Sequence, residues 1–464
     1  MKTSVFSSYD VAIIGGGVVG CATARRFALE GARVILVEKG DDILSGASKA
    51  NSAILHTGFD APHQSFELAC MRAGYSEYCE IADRMNLPLL KTSAMVVAWN
   101  ESEVSKLDAI VAQAHRNGVS NVVRIDQSEM RKREPELASS ARGGVLVPDE
   151  HVIDPWTAPL AYIHQAMAHG ATVWRGTTLL SGGFDGQCWR LETSRGDISA
   201  TEVINCAGLF GDHIETLLLG DSHFQIRPRK GQFVVFDKAA TKLLRSIILP
   251  VPNERTKGVV LTRTAFGNLL VGPTAEEQED REQAATDQKT LNTLIEAAVA
   301  RLPGIAGTPV TAVYAGLRPA SEHKEYCIRE DVDRHFMTLG GVRSTGLTSA
   351  LGLARYAFER YQLRYTHSPV TPSDWPWMPN IAEHRERDWQ TKGYDEIVCH
   401  CELVTRREIE AAFDSPLPPG DLGGLKRRTR VCMGRCQGFY CGSRVAELTQ
   451  NRFATSLTTG HCHE

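Results

Sequence analysis

Five cysteines crowd into a short region near the C-terminal end of the chain and are the residues most able to bind a metal. Cys399-x-Cys401 and Cys436-x4-Cys441 form two closely spaced pairs, and Cys432 is an extra thiol beside the second pair. Thiolate pairs brought together suit a 2Fe–2S cluster, with zinc as the less favoured occupant. The absence of a recognisable secretory signal favours metal over disulfides. Cys399, Cys401, Cys436 and Cys441 are therefore the predicted ligands, and Cys432 is expected to be free unless it replaces one of them.

A second group of residues with chemical meaning lies near the N-terminus, where Gly15-x-Gly17-x-x-Gly20 is followed by Glu38. Gly15 suits a tight turn, Gly17 lets the backbone approach a pyrophosphate, and Gly20 lets a helix pack closely on a strand. The N–H groups at the start of that helix would bind phosphates. Glu38 could accept hydrogen bonds from a ribose diol. The spacing predicts a site for an ADP-containing dinucleotide.

These residues need a βαβ unit to position them, and the surrounding sequence has the right periodicity. Val11–Ile14 and Val34–Val37 are short apolar segments typical of buried parallel strands. Cys21–Leu29, between them, has helical spacing. The order of strand, glycine turn, helix and strand predicts a doubly wound α/β domain.

Composition limits the classes of function. The 464 residues suffice for two or three domains, and a formal net charge of -4 gives no sign of a nucleic-acid-binding surface. No apolar run reaches the roughly 18 residues needed to cross a bilayer, and the N-terminal segment lacks the apolar core of a signal peptide. We therefore expect a cytoplasmic protein with no nucleic-acid partner and no transmembrane segment. Peripheral association with the inner face of the membrane stays open.

The segment SGASKANSAILHTGFDA, Ser45–Ala61, follows the second strand and is rich in small hydroxyl and amide residues. Together with the βαβ unit, it resembles the D-amino-acid oxidase-like superfamily of FAD enzymes. The form NSAILHTGFDA is most similar to the glycerol-3-phosphate dehydrogenase and L-2-hydroxyglutarate dehydrogenase branches. Val203–Asp212 and His335–Ala354 resemble the second and third FAD fingerprints of the superfamily. The resemblance covers residues 1–365 and implies FAD as cofactor.

The resemblance implies FAD contacts from all three fingerprints and from the segments between them. The predicted cofactor residues are Gly15, Gly17, Val18, Val19, Gly20, Glu38, Lys39, Ser45, Ser48, Asn51, Ser52, His56, Leu179, Ala207, Gly208, Asp212, Gly316, Arg318, Gly341, Arg343, Ser344, Thr345, Gly346, Leu347 and Thr348. A helix predicted over Thr348–Tyr361 would point its N-terminus at the flavin, where a positive dipole end stabilises the anionic reduced ring.

The resemblance also implies residues that act on the substrate. His56 is a candidate base for a substrate hydroxyl, since imidazole titrates near neutral pH; covalent flavin attachment and a structural hydrogen bond to the cofactor are the alternatives. Arg318, in VYAGLRPAS, is implied to clamp a substrate carboxylate, with Tyr314 as a lesser candidate beside it. Glycerol-3-phosphate enzymes tend to carry an arginine and a tyrosine where this chain has Phe59-Asp60. An acid there would repel phosphate, which puts glycerol 3-phosphate itself in question.

The cysteine-rich tail resembles the bacterioferritin-associated ferredoxin-like domain, especially the copy fused to anaerobic glycerol-3-phosphate dehydrogenase large subunits. MGRCQGFYCG is close to the form found there, whereas the stand-alone ferredoxins space their second pair as C-x2-C. Thr405-x-x-Glu408 predicts a capped helix after the first pair. Four basic residues before the second pair would offset the cluster's negative charge, steer an acidic redox partner, or form an ordinary solvated face. They are Lys426, Arg427, Arg428 and Arg430.

The predicted fold class is α/β, with a Rossmann-like FAD-binding domain, an inserted antiparallel-sheet substrate domain and a small helical C-terminal cluster domain. The predicted boundaries place 1–90, 150–225 and 330–365 in the FAD-binding domain, 91–149 and 226–329 in the substrate domain, 366–394 in a linker and 395–447 in the ferredoxin-like 2Fe–2S domain. Ala275–Asp287 is expected to be a solvated loop, and Glu383–Asp388 is expected to face solvent. His151 and Asp154 could face the active site, although a turn or helix cap is favoured.

The predicted function is an FAD-dependent dehydrogenase that oxidises a small anionic hydroxy compound, a 2-hydroxy acid or a polyol phosphate, by hydride transfer to the flavin. The cluster would pass single electrons to a protein subunit or a quinone, which favours a dehydrogenase over an oxidase. An amine or imino-acid dehydrogenase or oxidase is the first alternative, and a non-catalytic electron-transfer subunit is the second. The sequence leaves open the exact substrate, the acceptor, the oligomeric state and covalent attachment of FAD.

Overall fold

The computed structural model describes residues 7–252, 258–453 and 457, and two large sheets dominate it. The strands are β1 (Ser7–Ile14), β2 (Val34–Val37), β3 (Ile54–Leu55), β4 (Leu89–Leu90), β5 (Ala94–Ala98), β6 (Val123–Asp126), β7 (Gly143–Val147), β8 (His151–Ile153), β9 (Thr172–Trp174), β10 (Leu179–Phe184), β11 (Trp189–Thr193), β12 (Ile198–Asn205), β13 (Arg229–Phe236), β14 (Ile247–Pro250), β15 (Val260–Arg263), β16 (Leu269–Gly272), β17 (Glu276–Glu277), β18 (Val310–Arg318), β19 (Cys327–Asp331), β20 (Phe336–Gly340), β21 (Ile397–Cys399) and β22 (Val404–Thr405). The helices are α1 (Val18–Leu29), α2 (Phe66–Ala82), α3 (Glu101–Val104), α4 (Leu107–Arg116), α5 (Gln127–Arg133), α6 (Thr157–Ala168), α7 (Gly211–Leu219), α8 (Gln288–Arg301), α9 (Gly346–Tyr361), α10 (Arg406–Phe413), α11 (Leu422–Thr429) and α12 (Gly442–Leu448).

The first sheet carries the predicted βαβ unit at its centre. β1 pairs in parallel with β2 and β12, and the order β10-β11-β12-β1-β2-β9 is extended by β20 beside β12 and β19 beside β20. Val11 and Ile13 pack with α1, α6 and α9, whereas Ala12 and Ile14 pack on the opposite face with residues of β10 to β12. Because both faces of this sheet are covered, its strands are continuous apolar runs. The predicted α/β class and the predicted βαβ unit are confirmed.

The second sheet is assembled from two separate segments of the chain. Its order is β17-β13-β16-β15-β14-β5-β7-β6, with β18 on the other edge of β13. Most neighbours are antiparallel, but β5 and β14 run parallel and join residues 94–98 to residues 247–250. A mixed sheet therefore replaces the antiparallel sheet predicted, since the two segments meet without a hairpin between them. A third, small sheet has the order β3-β8-β4.

The segment after α9 is irregular but packed against the rest of the molecule. Residues 365–382 contain no helix or strand, yet Met378, Ile381 and Ala382 are buried. Arg387 is 1% exposed, and its guanidinium lies 3.2 Å from the carboxylate of Glu383. The expectation that Glu383–Asp388 faces solvent is therefore wrong at Arg387, because ion pairing within the segment draws that side chain inward.

The C-terminal domain consists of the β21–β22 pair and helices α10 to α12, and it docks on the turn after β2. The predicted capping box at the start of α10 is present. Asp42 in that turn is fully buried, and its two carboxylate oxygens accept from Arg428 Nη1 and Nη2 at 2.5 and 3.0 Å. Arg430 pairs with Glu402 at 2.9 Å. The side chains of Arg428 and Arg430 are 6% and 5% exposed, so the prediction of a solvated or partner-steering face is wrong for these two residues.

Candidate functional site

The glycines after β1 form a turn that side chains would block. Gly15 has a φ of 111°, and a Cβ atom on it would lie 2.6 Å from the carbonyl oxygen of Cys206. A Cβ atom on Gly20 would lie 1.9 Å from the carbonyl oxygen of Gly15, so glycine is what lets α1 pack against the end of β1. The N-cap residue of α1 makes no side-chain hydrogen bond, and the first turn of the helix lines a cleft. This is the arrangement that binds a pyrophosphate.

The cleft has a volume of about 770 Å³ and reaches from this turn to the second sheet. All three predicted fingerprints and the Ser45–Ser52 loop contribute to its walls. Most of the predicted cofactor residues line it, whereas Gly20, His56, Asp212, Thr345 and Thr348 do not. Its volume lies within the usual range for small-molecule and cofactor sites. Segments that are distant in sequence therefore converge on one site of the kind that an adenine dinucleotide requires.

Glu38 stands on the wall of the cleft at the end of β2. Its two carboxylate oxygens accept backbone hydrogen bonds from Gly16 N at 2.6 Å and Gly40 N at 2.7 Å. Burial raises the pKa of Glu38, and these hydrogen bonds act against that rise. A carboxylate fixed in this way can accept from a ribose diol, the role that the sequence predicts. With the glycine turn and the helix N-terminus, it makes the residues present fit FAD.

Two of the predicted contacts outside the cleft are held by other parts of the protein. Asp212 accepts hydrogen bonds from Arg281 Nη1 and Nη2 at 2.5 and 2.8 Å. The hydroxyl of Thr345 donates to the carboxylate of Glu67 at 2.6 Å. Both residues support elements that form the cleft walls, and a direct role in cofactor binding stays a prediction for them.

His56 follows β3 and is held by the buried carboxylate of Glu150, which precedes β8. His56 Nδ1 lies 2.9 Å from Glu150 Oε2, and Glu150 Oε1 accepts from the backbone N and the hydroxyl of Thr57 at 2.6 and 2.9 Å. The carboxylate favours the tautomer in which Nδ1 carries the proton, which makes Nε2 the basic nitrogen. The backbone N–H of His56 donates to Thr348 Oγ1 at 3.0 Å, so this pair lies next to the N-terminal turn of α9.

Sequence reasoning missed Glu150 and pointed to its neighbours His151 and Asp154. Asp154 Oδ1 accepts from Trp156 N at 2.9 Å, as the helix-cap alternative predicts. His151 is buried, and that burial lowers its pKa. No local pattern marks Glu150, because its partner lies 94 positions earlier and only the pairing of β3 with β8 brings the two together.

Arg318 ends β18 at the part of the cleft formed by the second sheet. Its Nη2 donates to the carbonyl oxygen of Thr274 at 3.1 Å, and no carboxylate among the described residues forms an ion pair with it. Burial, followed by the charge of Arg229, lowers the pKa of Arg318 to about 10, so the guanidinium stays protonated at neutral pH. A cation placed in a cleft wall without a counter-ion favours an anionic ligand.

Tyr314, the lesser catalytic candidate, does not line the cleft, whereas its neighbour Phe233 does. The two rings stack with centroids 4.8 Å apart, and the Tyr314 hydroxyl donates to the carbonyl oxygen of Asn51 at 3.1 Å. Burial raises the pKa of Tyr314 well above its usual value. In this arrangement Tyr314 supports the loop that carries Asn51. Phe59, at the position discussed for phosphate binding, is 2% exposed and offers no polar group.

The four predicted metal ligands come together as two pairs of thiols. Cys399 is hydrogen-bonded to Cys441, and Cys401 to Cys436. A backbone hydrogen bond from Tyr440 lowers the pKa of Cys436, whereas burial raises that of the other three thiols. Two pairs fit a binuclear cluster held by four thiolates. In the described part of the chain no three Cys, His, Asp or Glu side chains converge as a single zinc ion would require.

Cys432 is a fifth thiol beside these pairs. It is 5% exposed, its Sγ lies 3.5 Å from that of Cys441, and its φ of 61° is in the left-handed region. It therefore stands next to one predicted ligand, at the Cys399–Cys441 side of the group. This placement defines the question of whether Cys432 or Cys441 is the ligand.

A row of packed side chains connects the cleft with the thiol domain. Trp156 Nε1 donates to the carbonyl oxygen of Lys49, a residue of the cleft wall, at 3.2 Å. The Trp156 ring is stacked on Phe266 with centroids 5.2 Å apart and an interplanar angle of 9°. The guanidinium of Arg430 lies 4.1 Å from the centroid of the Phe266 ring. The cleft and the thiols thus belong to one packed unit.

Two family comparisons match almost the whole described chain. Residues 10–360 match the family described as FAD dependent oxidoreductase, DAO, and residues 397–451 match the BFD-like 2Fe-2S binding domain. Both agree with the resemblance found in the motifs. No described helix combines the length and the apolar character needed to cross a membrane.

Similar proteins include several with glycerol 3-phosphate in their names. The chain is 28% identical over 460 residues to a glycerol 3-phosphate dehydrogenase of Caloramator mitchellensis, with 97% of this chain and 95% of that protein covered. It is 27% identical over 501 residues to an Escherichia coli protein named as one subunit of anaerobic glycerol-3-phosphate dehydrogenase, with 97% and 89% covered. An L-2-hydroxyglutarate dehydrogenase of Indibacter alkaliphilus is 27% identical over 272 residues, with 58% and 68% covered.

Solved structures with bound FAD share the fold. The L-alpha-glycerophosphate oxidase of Mycoplasma pneumoniae superimposes with a TM-score of 0.74 and 26% identity, covering 80% of this chain and 98% of that one. The glycerol-3-phosphate dehydrogenase of Bacillus halodurans superimposes with a TM-score of 0.58 and 18% identity, covering 95% and 79%. Both were solved with FAD, the cofactor that the cleft fits.

Proposed function

Because the chain belongs to the DAO family of FAD-dependent oxidoreductases and carries a BFD-like 2Fe-2S binding domain, we propose that it is a dehydrogenase for a small anionic hydroxy compound. The substrate class is a 2-hydroxy acid or a polyol phosphate, and the electrons leave for a protein or quinone acceptor. FAD, when bound, supplies the two-electron acceptor for this oxidation. The remaining requirements, which are to bind an anion, orient it and remove a proton, fall to side chains of this chain.

The observation that carries the proposal is Arg318. It is a protonated guanidinium in the wall of the cofactor cleft, it has no carboxylate partner among the described residues, and one hydrogen bond to Thr274 leaves other donors available. A carboxylate or phosphate group would satisfy them with parallel, charge-assisted hydrogen bonds. Such an anchor fixes one end of a short substrate and so sets which carbon faces the flavin.

Proton removal is assigned to His56. Its Nδ1 is held by Glu150, so Nε2 is the nitrogen able to take a proton from a substrate hydroxyl, and the carboxylate stabilises the imidazolium that results. This role, like that of Arg318, rests on the contacts of the residue and on the resemblance of the NSAILHTGFDA segment.

The names of the relatives support a hydroxy compound and a partner for the electrons. Dehydrogenases of glycerol 3-phosphate and L-2-hydroxyglutarate both oxidise a hydroxyl group next to an anionic arm, and the E. coli relative is named as one of several subunits by its designation. A cluster that holds single electrons is useful where the acceptor is a protein or a quinone.

Anaerobic reduction of the flavin tests the proposal. Purified protein is mixed with 2-hydroxy acids, polyol phosphates and amino acids in turn, and the loss of the flavin band near 450 nm is followed. We expect bleaching by a 2-hydroxy acid or a polyol phosphate. Bleaching by amino acids alone would assign the site to C–N oxidation, and no bleaching by any compound would identify an electron-transfer subunit without its own substrate.

Arg318→Ala is the matched variant. Because the guanidinium is assigned to the substrate and not to the retention of FAD, we expect the substrate concentration for half-maximal reduction to rise by about 100-fold, with the flavin content unchanged. Arg229→Ala is the control, since Arg229 pairs with Glu277 at 2.5 Å and does not line the cleft. Equal loss of FAD and of substrate reduction in Arg318→Ala would overturn the assignment.

A further inference from the structure

Residues 274–287, here named the clasp segment, belong to the second sheet but reach across to the cofactor cleft. Through β17 the segment pairs with β13, with Glu276 opposite Lys230 and Glu277 opposite Arg229. Beyond β17, however, Arg281, Glu282 and Ala284 line the same cleft as the glycine turn of the first sheet. The expectation of a plain solvated loop is therefore wrong for this part of it.

Arg281 anchors the clasp segment to the second FAD fingerprint. Its Nη1 and Nη2 donate to the two carboxylate oxygens of Asp212 at 2.5 and 2.8 Å. The same two nitrogens donate to the carbonyl oxygens of Leu209 at 2.8 Å and Ile226 at 3.1 Å. The side chains of Arg281 and Asp212 are 15% and 5% exposed, so the pair is largely removed from water. Leu209 lies in the turn that directly follows β12.

The electrostatics of Asp212 agree with a tight anchor. Burial alone would raise the pKa of this carboxyl, but the hydrogen bonds from Arg281 and from the backbone N of Ile226 outweigh burial and lower it. Asp212 is therefore a carboxylate at neutral pH, and separating it from Arg281 would leave an uncompensated charge in a buried place.

A second contact lies beside the residue predicted to bind the ribose. Glu282 pairs with Lys39 at 2.6 Å, and Lys39 directly follows Glu38. The ammonium group of Lys39 also lies 3.6 Å from the centroid of the Phe210 ring, and both side chains line the cleft. This pair is exposed and contributes little stability by itself, but it sets the position of the clasp segment over the ribose side of the cleft.

We propose that the clasp segment is part of the FAD site and that Arg281 is the residue that locks it over the adenosine half of the cofactor. The segment joins the two walls of the cleft at that end, so FAD can leave only after the Arg281–Asp212 contact has opened. The substrate domain thereby controls retention of the cofactor, in addition to binding the substrate. This inference concerns the cofactor alone and does not depend on which substrate class is correct.

Arg281→Gln tests the proposal through release of FAD. The protein loaded with FAD is diluted, and the flavin fluorescence that appears on release is followed with time. We expect release to be about tenfold faster or more than from the unmodified protein, because the lost contact is a charge-assisted pair in a buried place. The rate at which substrate reduces the flavin that remains bound should not change. Release at the unmodified rate would overturn the proposal.

Arg229→Gln is the matched control for the clasp segment. It removes an arginine that pairs with Glu277 on the same segment, but at a position outside the cleft. We expect FAD release from this variant at the unmodified rate. Release as fast as from Arg281→Gln would show that any loosening of the segment has the same effect, and the specific role of Arg281 would fail.

Hydrogen exchange of the unmodified protein provides a test that does not rely on a variant folding. We expect the backbone amides of residues 274–287 to exchange several-fold more slowly when FAD is bound than after FAD has been removed. Equal exchange in the two states would contradict a segment that closes over the cofactor.

Discussion

Glu150 accepts hydrogen bonds from both His56 and Thr57, and it acts through His56 because it does not itself line the cleft. Glu150→Gln keeps the size of the side chain but replaces one acceptor oxygen by a donor. We expect the rate of flavin reduction by substrate to fall roughly 100-fold, because the proton on the imidazole is no longer held at Nδ1. FAD content should stay the same. Rapid-mixing measurements of flavin bleaching under anaerobic conditions give the rate.

Thr57→Val is the control for that variant. It removes a hydroxyl that donates to the same carboxylate at 2.9 Å and leaves the contact with His56 intact. We expect a smaller loss of rate than in Glu150→Gln. Equal losses would mean that packing around the carboxylate, and not the orientation of the imidazole, limits the reaction.

His164 makes stability depend on pH at the scale of one side chain. It is 6% exposed in α6, and burial, followed by the charge of Arg428, lowers its pKa from 6.5 to about 4. Between these values the unfolded chain binds a proton that the folded chain does not, so stability falls as the pH falls. From this residue we expect the free energy of unfolding to drop by up to about 3 kcal/mol between pH 7 and pH 4.5. Thermal unfolding of His164→Gln should show a flatter pH dependence, and an unchanged dependence would refute the assignment.

At the scale of elements, the loop between α11 and α12 decides which thiols hold the cluster. Cys436 pairs with Cys401, and Cys441 pairs with Cys399, whereas Cys432 lies beside Cys441. We expect Cys432→Ser to keep a full complement of iron and sulfide and Cys436→Ser to lose it, as measured by chemical analysis and by electron paramagnetic resonance after reduction. A Cys432→Ser protein without cluster, together with a Cys441→Ser protein that retains it, would make Cys432 the ligand.

The elements that could be predicted are those whose signals are local. The turn at Gly15, the strand β2 and the capping box of α10 depend on residues a few positions apart, and the structure has all three. The parallel pairing of β5 with β14 depends on residues about 150 positions apart, for which no short pattern exists. The same reason hid Glu150 and Arg281, since each finds its partner through the packing of distant segments. Arg318 was found only because its motif resembles a family.

At the scale of the whole molecule, one buried carboxylate joins the thiol domain to the cofactor domain. Asp42 lies four residues after Glu38, and it accepts from Arg428 of the thiol domain and from Arg175 at 3.1 Å. The turn that carries the ribose-binding acid is therefore also the docking site of the domain that holds the thiols. Trp156, Phe266 and Arg430 pack across the same boundary. Correct docking thus fixes the distance over which electrons must pass from one cofactor site to the other.

Arg428→Ala tests this coupling. It leaves Asp42 buried with half of its charge partners gone, so we expect the free energy of unfolding to fall by about 3 kcal/mol and protease to release the thiol domain sooner. Reduction of the flavin by substrate should keep its rate, whereas the cluster should be reduced more slowly afterwards, because its domain is no longer held in place. Lys426→Ala is the matched control, since Lys426 lies on the same helix and has no ion pair among the described residues. If both variants unfold, resist protease and reduce their clusters alike, the Asp42 contact does not hold the two domains together.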